Sequence, residues 1–276
     1  MMKRAFLAVV LGLSLIGNSY SWNSLGHRLV AQIAYHHLNP HTRQILNQYN
    51  HALDKAYRPQ SLVNSAVWLD SLRYQNELWL GPKHYIDIPF SFDGTELIEP
   101  DHINAVTAIN SAKRLMQNSA INDFEKGFTL RILLHVVGDI HQPLHAANQF
   151  SAKHPKGDLG GNLFPLKNNS VATNLHAYWD KGGGWLNTRK HYSAAQLSKK
   201  ARIIEKHWPC RLREMNLDPQ VWAQESHELA VQKAYQIQYG QQPTKLYQQL
   251  VKAAAEQRIA IAGCRLAALL NQIAHW

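Results

Sequence analysis

Apolar residues recur at helical spacing along most of the chain. Leu29, Ile33 and Ala34 follow a Gly26-His27 turn; Val106, Ile109 and Leu115 fall between Pro100 and Ser119; and Ile132 to Val137 run up to Pro143. The same period returns at roughly 193 to 207, 218 to 238 and 243 to 274. Residues three and four apart share one face of a helix, so each stretch predicts a helix with a core-facing stripe. Asp218-Pro219 is an N-cap followed by proline at the first helical position. The last stretch is rich in Ala, Leu and Gln, has no proline after Pro243 and reads as a long core helix. Alternation of period two is weak, leaving room for one or two short hairpins near 84 to 99. Gly and Asn cluster at 157 to 170 and 182 to 187, which predicts loops on either side of a short helix around His176. The fold class expected is all-α.

The first residues follow a different pattern. Lys3 and Arg4 precede an apolar run from Ala5 to Ile16 and then Ser19-Tyr20-Ser21, the layout of a secretory leader with small residues at the cleavage positions. The run is shorter than the roughly 20 residues that span a bilayer. The expectation is a signal peptide over 1–21, one domain over 22–276 beginning at Trp22, export to the periplasm or medium, no stable membrane association, and a monomer. Two cysteines, Cys210 and Cys264, in a chain that leaves the reducing cytosol predict one disulfide. The formal net charge of +10 favours a polyanionic partner or merely a cationic soluble surface.

Candidate chemistry concentrates in Leu134-His135-Val136-Val137-Gly138-Asp139-Ile140-His141-Gln142-Pro143-Leu144-His145. His135 and Asp139 are four apart and share a helical face, within reach of one metal. Pro143 ends the helix and turns His145 back toward the same cavity. His176 and Asp180 repeat the spacing, so more than one metal is expected. Ala66-Val67-Trp68-Leu69-Asp70 puts a carboxylate at the end of an apolar helix, and His84-Tyr85-Ile86-Asp87 adds an imidazole and another carboxylate. With His27, this is an imidazole and carboxylate set without thiolates, which suits a catalytic zinc site. His141 reads as a partner of the ligands and not as one of them. The stretch 146 to 159, with Lys153, Lys156 and Asp158, reads as a solvated loop.

These residues in this order resemble the zinc-dependent single-strand-specific nucleases of fungi, plants and bacteria, the nuclease S-one/P-one family. Its marks are Trp22 with His27, Trp68-Leu69-Asp70 with Arg73, His84 to Asp87, the His135 to His145 block, Gly160-Gly161-Asn162 and His176-Ala177-Tyr178-Trp179-Asp180. The long loop after His145 is similar to the bacterial form. The resemblance implies three zinc ions. Asp70, His84, His135 and Asp139 would hold the first, and His145, His176 and Asp180 the second. The third would take the Trp22 amine and carbonyl, His27 and a bridging Asp139. It further implies that Arg73 holds the phosphate, that Asn162 and Asp87 contact phosphate and base, and that Tyr85 walls the base pocket. The activity implied is cleavage of single-stranded DNA and RNA to 5′-mononucleotides, with 3′-nucleotides as further substrates. Bacterial zinc phospholipase C is the alternative within the superfamily. A non-catalytic exported zinc- or nucleic-acid-binding protein is the alternative from another class.

Overall fold

The computed structural model describes residues 22–73, 78–188 and 191–274; the leader expected over 1–21 lies outside the described residues, as does the Arg73 side chain. Helices dominate. In chain order they are α1 (Ser24–His37), α2 (Pro40–Ala52), α3 (Trp68–Arg73), α4 (Ala105–Gln117), α5 (Asp123–Ile140), α6 (Leu175–Asp180), α7 (Ala194–His207), α8 (Pro219–Leu229) and α9 (Lys245–Ile273). The all-α expectation holds. Among the described residues, no helix is long and apolar enough to cross a membrane.

The central element is α5. Its start is fixed by a capping box in which the Asn122 side chain accepts from the Glu125 N–H and the Glu125 carboxylate accepts from the Asn122 N–H. From Leu130 almost every residue is buried. A helix apolar on all sides must be surrounded, and α1, α2, α4, α8 and α9 pack around it. Arg131, His135 and Asp139 are spaced by four and form one polar stripe along this buried helix. At its outer end the Arg131 guanidinium donates to Asn50 Oδ1 at 3.0 Å.

Two close approaches bring α1 and α9 to the centre. A Cβ added at Gly263 would lie 2.6 Å from Ile33 Cβ, so only glycine lets α9 pack this near α1. Cys210 and Cys264 form the expected disulfide, with Cα atoms 5.4 Å apart, joining the segment after α7 to α9 across 54 residues. Closing a loop of that length removes chain entropy from the unfolded state worth about 4 kcal/mol.

Several sequence expectations need correction. Gly26 and His27 do not form a turn but lie inside α1, which starts earlier because Asn23 Oδ1 accepts from the Leu25 and Gly26 N–H groups. Leu115 is 43% exposed; the buried stripe of α4 runs Val106, Ile109, Ala112 and Met116 instead. Asp70 sits in the first turn of α3, after the 3-10 segment Asn64–Val67, and not at a helix end. The helix at 218 to 238 is interrupted, with α8 passing into a π turn at Ala230–Ala234. No hairpin forms near 84 to 99 among the described residues. Instead β1 (Pro89–Ser91) pairs in parallel with β2 (Asn148–Phe150). That pairing is distant in sequence, which is why local alternation could not reveal it. Ile86 N donates to His145 O at 2.7 Å and Asn148 N to Ile88 O at 3.0 Å, laying the His84 to Asp87 segment beside His145.

Candidate metal centre

Three groups of ligand atoms converge around α5 and α6: His27, His135 and Asp139; Asp70, His84 and His135; and His145, His176 and Asp180. Within each group the atoms lie within 4.8 Å of one another. Asp70 is the most open, with a side chain 17% exposed, while His135 and Asp139 are fully buried.

The backbone fixes which ring nitrogen faces the centre. His135 Nδ1 donates to Ala66 O, His145 Nδ1 to His84 O and His176 Nδ1 to Gly160 O, each at 2.7 Å. With the proton on Nδ1, Nε2 is left as a lone pair aimed inward. His145 Nε2 and His176 Nε2 then face one another at 3.2 Å, two lone pairs that a shared cation would reconcile. His135 Nε2 lies 3.4 Å from Asp139 Oδ1 and 3.5 Å from Asp70 Oδ1, and His27 Nε2 lies 3.3 Å from Asp139 Oδ1. Tetrahedral zinc with nitrogen and oxygen ligands at about 2.0–2.1 Å requires ligand atoms roughly 3.3 Å apart. Among the described residues, both ring nitrogens of His27, His135 Nε2 and Asp70 Oδ1 are buried without hydrogen bonds. Buried polar atoms are ordinarily satisfied, so the donor set fits divalent cations by chemistry and by spacing.

Electrostatics agree. Burial, aided by neighbouring His135, His84 and His145, pushes His27 well below its ordinary pKa and keeps it neutral. Burial raises the Asp180 carboxyl well above the carboxylate range, and the charges of Asp70 and Asp139 add to this while a hydrogen bond from Gln142 opposes it. Carboxylates crowded at low dielectric demand positive charge.

Supporting groups that sequence reasoning did not single out complete the site. Gln142 Nε2 donates to Asp180 Oδ1 at 2.7 Å, and its Oε1 accepts from the Leu144 N–H at 2.6 Å. It thereby ties the turn carrying His145 to α6. Gly138 lies against the His27 ring: an added Cβ would be 2.9 Å from His27 Nδ1. Asn23 N donates to Asp180 O at 3.2 Å, holding the start of α1 at this centre. Trp22, just ahead, is fully buried.

Asp158 also departs from the solvated-loop reading. It is fully buried and accepts from the Gln149 and Gly161 N–H groups and the Tyr235 hydroxyl. This shapes the loop whose Gly160 carbonyl orients His176. His141, expected as an accessory, accepts from Arg265 Nη1 at 3.0 Å and donates through Nδ1 to Val137 O at 2.7 Å. Arg258 and Arg265, seven apart on α9, both meet Glu225 of α8. Burial raises the Glu225 carboxyl, but the two guanidiniums outweigh it and hold it below its ordinary value. A pair of arginines seven apart in an Ala- and Leu-rich helix was the available signal.

Of the residues expected at the substrate, Tyr85, Asp87 and Asn162 are partly exposed. Asn162 Nδ2 donates to Leu159 O at 2.8 Å. The Asp87 carboxyl is pushed up to about 7 by burial, then by the charges of Asp158 and Asp101.

The family model described as S1/P1 Nuclease matches residues 22–275. The chain belongs to that family. Among its relatives, Nuclease S1 of Aspergillus oryzae is 28% identical over 194 residues, covering 66% of this chain and 63% of its own. Nuclease P1 of Penicillium citrinum is 26% identical over 172 residues, 58% of this chain and 57% of its own. Endonuclease 4 of Arabidopsis thaliana is 26% identical over 301 aligned positions, 99% of this chain and 95% of its own. The matches therefore span less than two thirds of the two fungal relatives and nearly all of the plant one.

Proposed function

We propose that residues 22–276 act as an exported, monomeric, zinc-dependent endonuclease. It would hydrolyse phosphodiester bonds of single-stranded DNA and RNA to 5′-mononucleotides and remove the phosphate of 3′-nucleotides. The observation that carries this reading is the facing of His145 and His176, Nε2 to Nε2, beside Asp180, with two further His and Asp groups alongside in a member of a nuclease family.

Asp70, His84, His135 and Asp139 would hold one zinc, and His145, His176 and Asp180 a second. Trp22 through its amine and carbonyl, His27 and the shared Asp139 would hold a third. Zinc bound there supplies Lewis acidity toward phosphate oxygens and a water that ionises near neutral pH. The chain's own groups handle the rest of the substrate. Arg73 offers a planar, permanently charged fork for the scissile phosphate. Tyr85 walls the base, Asp87 meets its edge, and Asn162 contacts phosphate and base. An unpaired base can reach such a pocket and a stacked, paired one cannot, which favours single strands. Cleavage of the leader after Ser21 would free the Trp22 amine. The hydrogen bond from Asn23 to Asp180 supports a chain start positioned at the centre.

The test is digestion of single-stranded DNA and RNA by zinc-loaded protein, with and without chelator, beside a phosphatidylcholine control. Chelator-sensitive release of 5′-mononucleotides, abolished by Asp139→Asn, is expected. Headgroup release without nucleotide release would assign the protein to the phospholipase branch. DNA binding with no cleavage of either substrate at saturating zinc would make it a binding protein.

A further inference from the structure

The outward face of α7 is cationic and carries exposed apolar side chains. From Ser193 to Glu214 the chain has six lysines and arginines, Lys199, Lys200, Arg202, Lys206, Arg211 and Arg213, against two acids, Glu205 and Glu214. Leu197, Ala201 and Ile204 bury one stripe of the helix in the core. Lys199, Arg202, Ile203 and Lys206, offset by three, four and seven positions, share the opposite face and are exposed. Ile203, adjoining the three cations, is 50% exposed, and Trp208 at the end of the helix is 38% exposed.

The acid within the helix does not neutralise this face. Glu205 is turned toward α1, where its carboxylate meets His36 Nδ1 and His37 Nε2, each at 2.8 Å. Glu256 of α9, which reaches α7, is held by His207 at 2.7 Å. The side chains of Lys199, Arg202 and Lys206 make no ion pair among the described residues. The face is also fixed in place. A capping box between Ser193 and Gln196 sets the start of α7, and the Cys210–Cys264 disulfide ties the segment after it to α9. Little backbone freedom is therefore left to lose on contact with a partner. A cluster of 4–8 Lys and Arg on an amphipathic helix is the pattern that meets anionic lipid head groups, and each cation near such a surface strengthens adsorption roughly fivefold. A phosphate-bearing polymer would meet the cations equally well but would leave the aliphatic Ile203 in water. The boundary between head groups and acyl chains takes up both isoleucine and tryptophan.

We propose that the outward face of α7, with Trp208, adsorbs reversibly on anionic lipid bilayers. The contact is peripheral and salt-sensitive, and it adds no span: among the described residues no helix is long and apolar enough to cross a membrane. α7 supplies no ligand atom to the three metal groups, so the inference does not rest on the nuclease reading. The test is co-sedimentation of zinc-loaded protein with vesicles of equal parts phosphatidylcholine and phosphatidylglycerol, and with vesicles of phosphatidylcholine alone. Wild type partitions at least tenfold more strongly to the mixed vesicles at low salt and loses that preference at high salt. Lys199→Glu combined with Arg202→Glu and Lys206→Glu abolishes the preference. Ile203→Ser weakens partition severalfold and leaves its salt dependence as in wild type. Zinc content and helical circular dichroism stay at wild-type levels in both variants. Equal partition of wild type to the two vesicle types, or Ile203→Ser binding as wild type does, would overturn the proposal. A charge-reversed protein that still prefers the mixed vesicles but loses affinity for a phosphorothioate oligonucleotide would give this face to nucleic acid instead.

Discussion

His145 and His176 approach Nε2 to Nε2 at 3.2 Å while each commits its Nδ1 proton to a backbone carbonyl. While both rings are neutral, neither has a second proton to present to the other, so the pair repels unless a cation lies between the two lone pairs. Removing metal should therefore destabilise the whole protein and not only silence it. Ligand at a thousandfold excess over its Kd stabilises by about 4 kcal/mol, and in a chain of this size each kcal/mol moves Tm by roughly 2–4 °C. Chelation should lower Tm by about 10 °C, and zinc, but not magnesium, should restore it. An unchanged melting curve after verified zinc removal would count against a metal centre here.

Gly138 separates stability from site integrity. An alanine in mid-helix is favoured over glycine by roughly 1 kcal/mol, yet its methyl would stand 2.9 Å from His27 Nδ1. The ring must yield, because α5 is packed on every side. Gly138→Ala is expected to keep the helical circular dichroism, lose by elemental analysis the zinc proposed to sit on His27 and drop activity more than tenfold. Full zinc content with full activity would show that His27 can move without consequence.

What could be read from the chain divides along sequence distance. His135 with Asp139 and His176 with Asp180 are fixed by helical geometry alone, and Pro143 suffices to turn His145 inward, so the convergence of these side chains was legible. The helices were legible for the same reason, down to Asp218-Pro219 at the start of α8. The parallel pairing of β1 with β2, by contrast, joins segments about 60 residues apart, and no local pattern encodes it. Asp158 looked like one more polar loop residue because its partners, Gln149, Gly161 and Tyr235, are assembled only by the fold. The start of α1 was misplaced because Gly26 suggested a turn, whereas Asn23 is the cap and Gly26 is needed for close contact with Trp22.

Gln142 holds one oxygen of Asp180 through a 2.7 Å hydrogen bond in a fully buried setting. Groups that orient metal-bound side chains typically matter by about 10–100-fold in metal affinity. Gln142→Leu should weaken zinc at the His145, His176 and Asp180 group by that factor, leaving the other two groups loaded, as measured by competition with a graded chelator. Gln142→Asn, too short to reach, should resemble Gln142→Leu. Equal affinity at all sites in both variants would reduce Gln142 to a turn cap through its bond to Leu144.

Asp87 should make both substrate choice and stability depend on pH. Its carboxyl is pushed up to about 7, first by burial and then by the charges of Asp158 and Asp101. Below that value it is protonated and can donate to a ring or carbonyl acceptor; above it, the carboxylate accepts from an exocyclic amino group. With the base seated on Asp87 as proposed, the preference in kcat/KM for amino-bearing over oxo-bearing bases should rise as pH passes through 7, and Asp87→Asn should flatten that change. For stability, a carboxyl whose folded pKa lies above its unfolded value favours the folded state when protonated. That contribution is fully present below the ordinary carboxylate range, near 4, and is lost as pH rises toward 7. Asp87→Asn should therefore gain stability relative to wild type at pH 8 more than at pH 4 in denaturant titrations of zinc-loaded protein. The same pH slope in wild type and variant would mean that the carboxyl ionises as freely in the fold as in water.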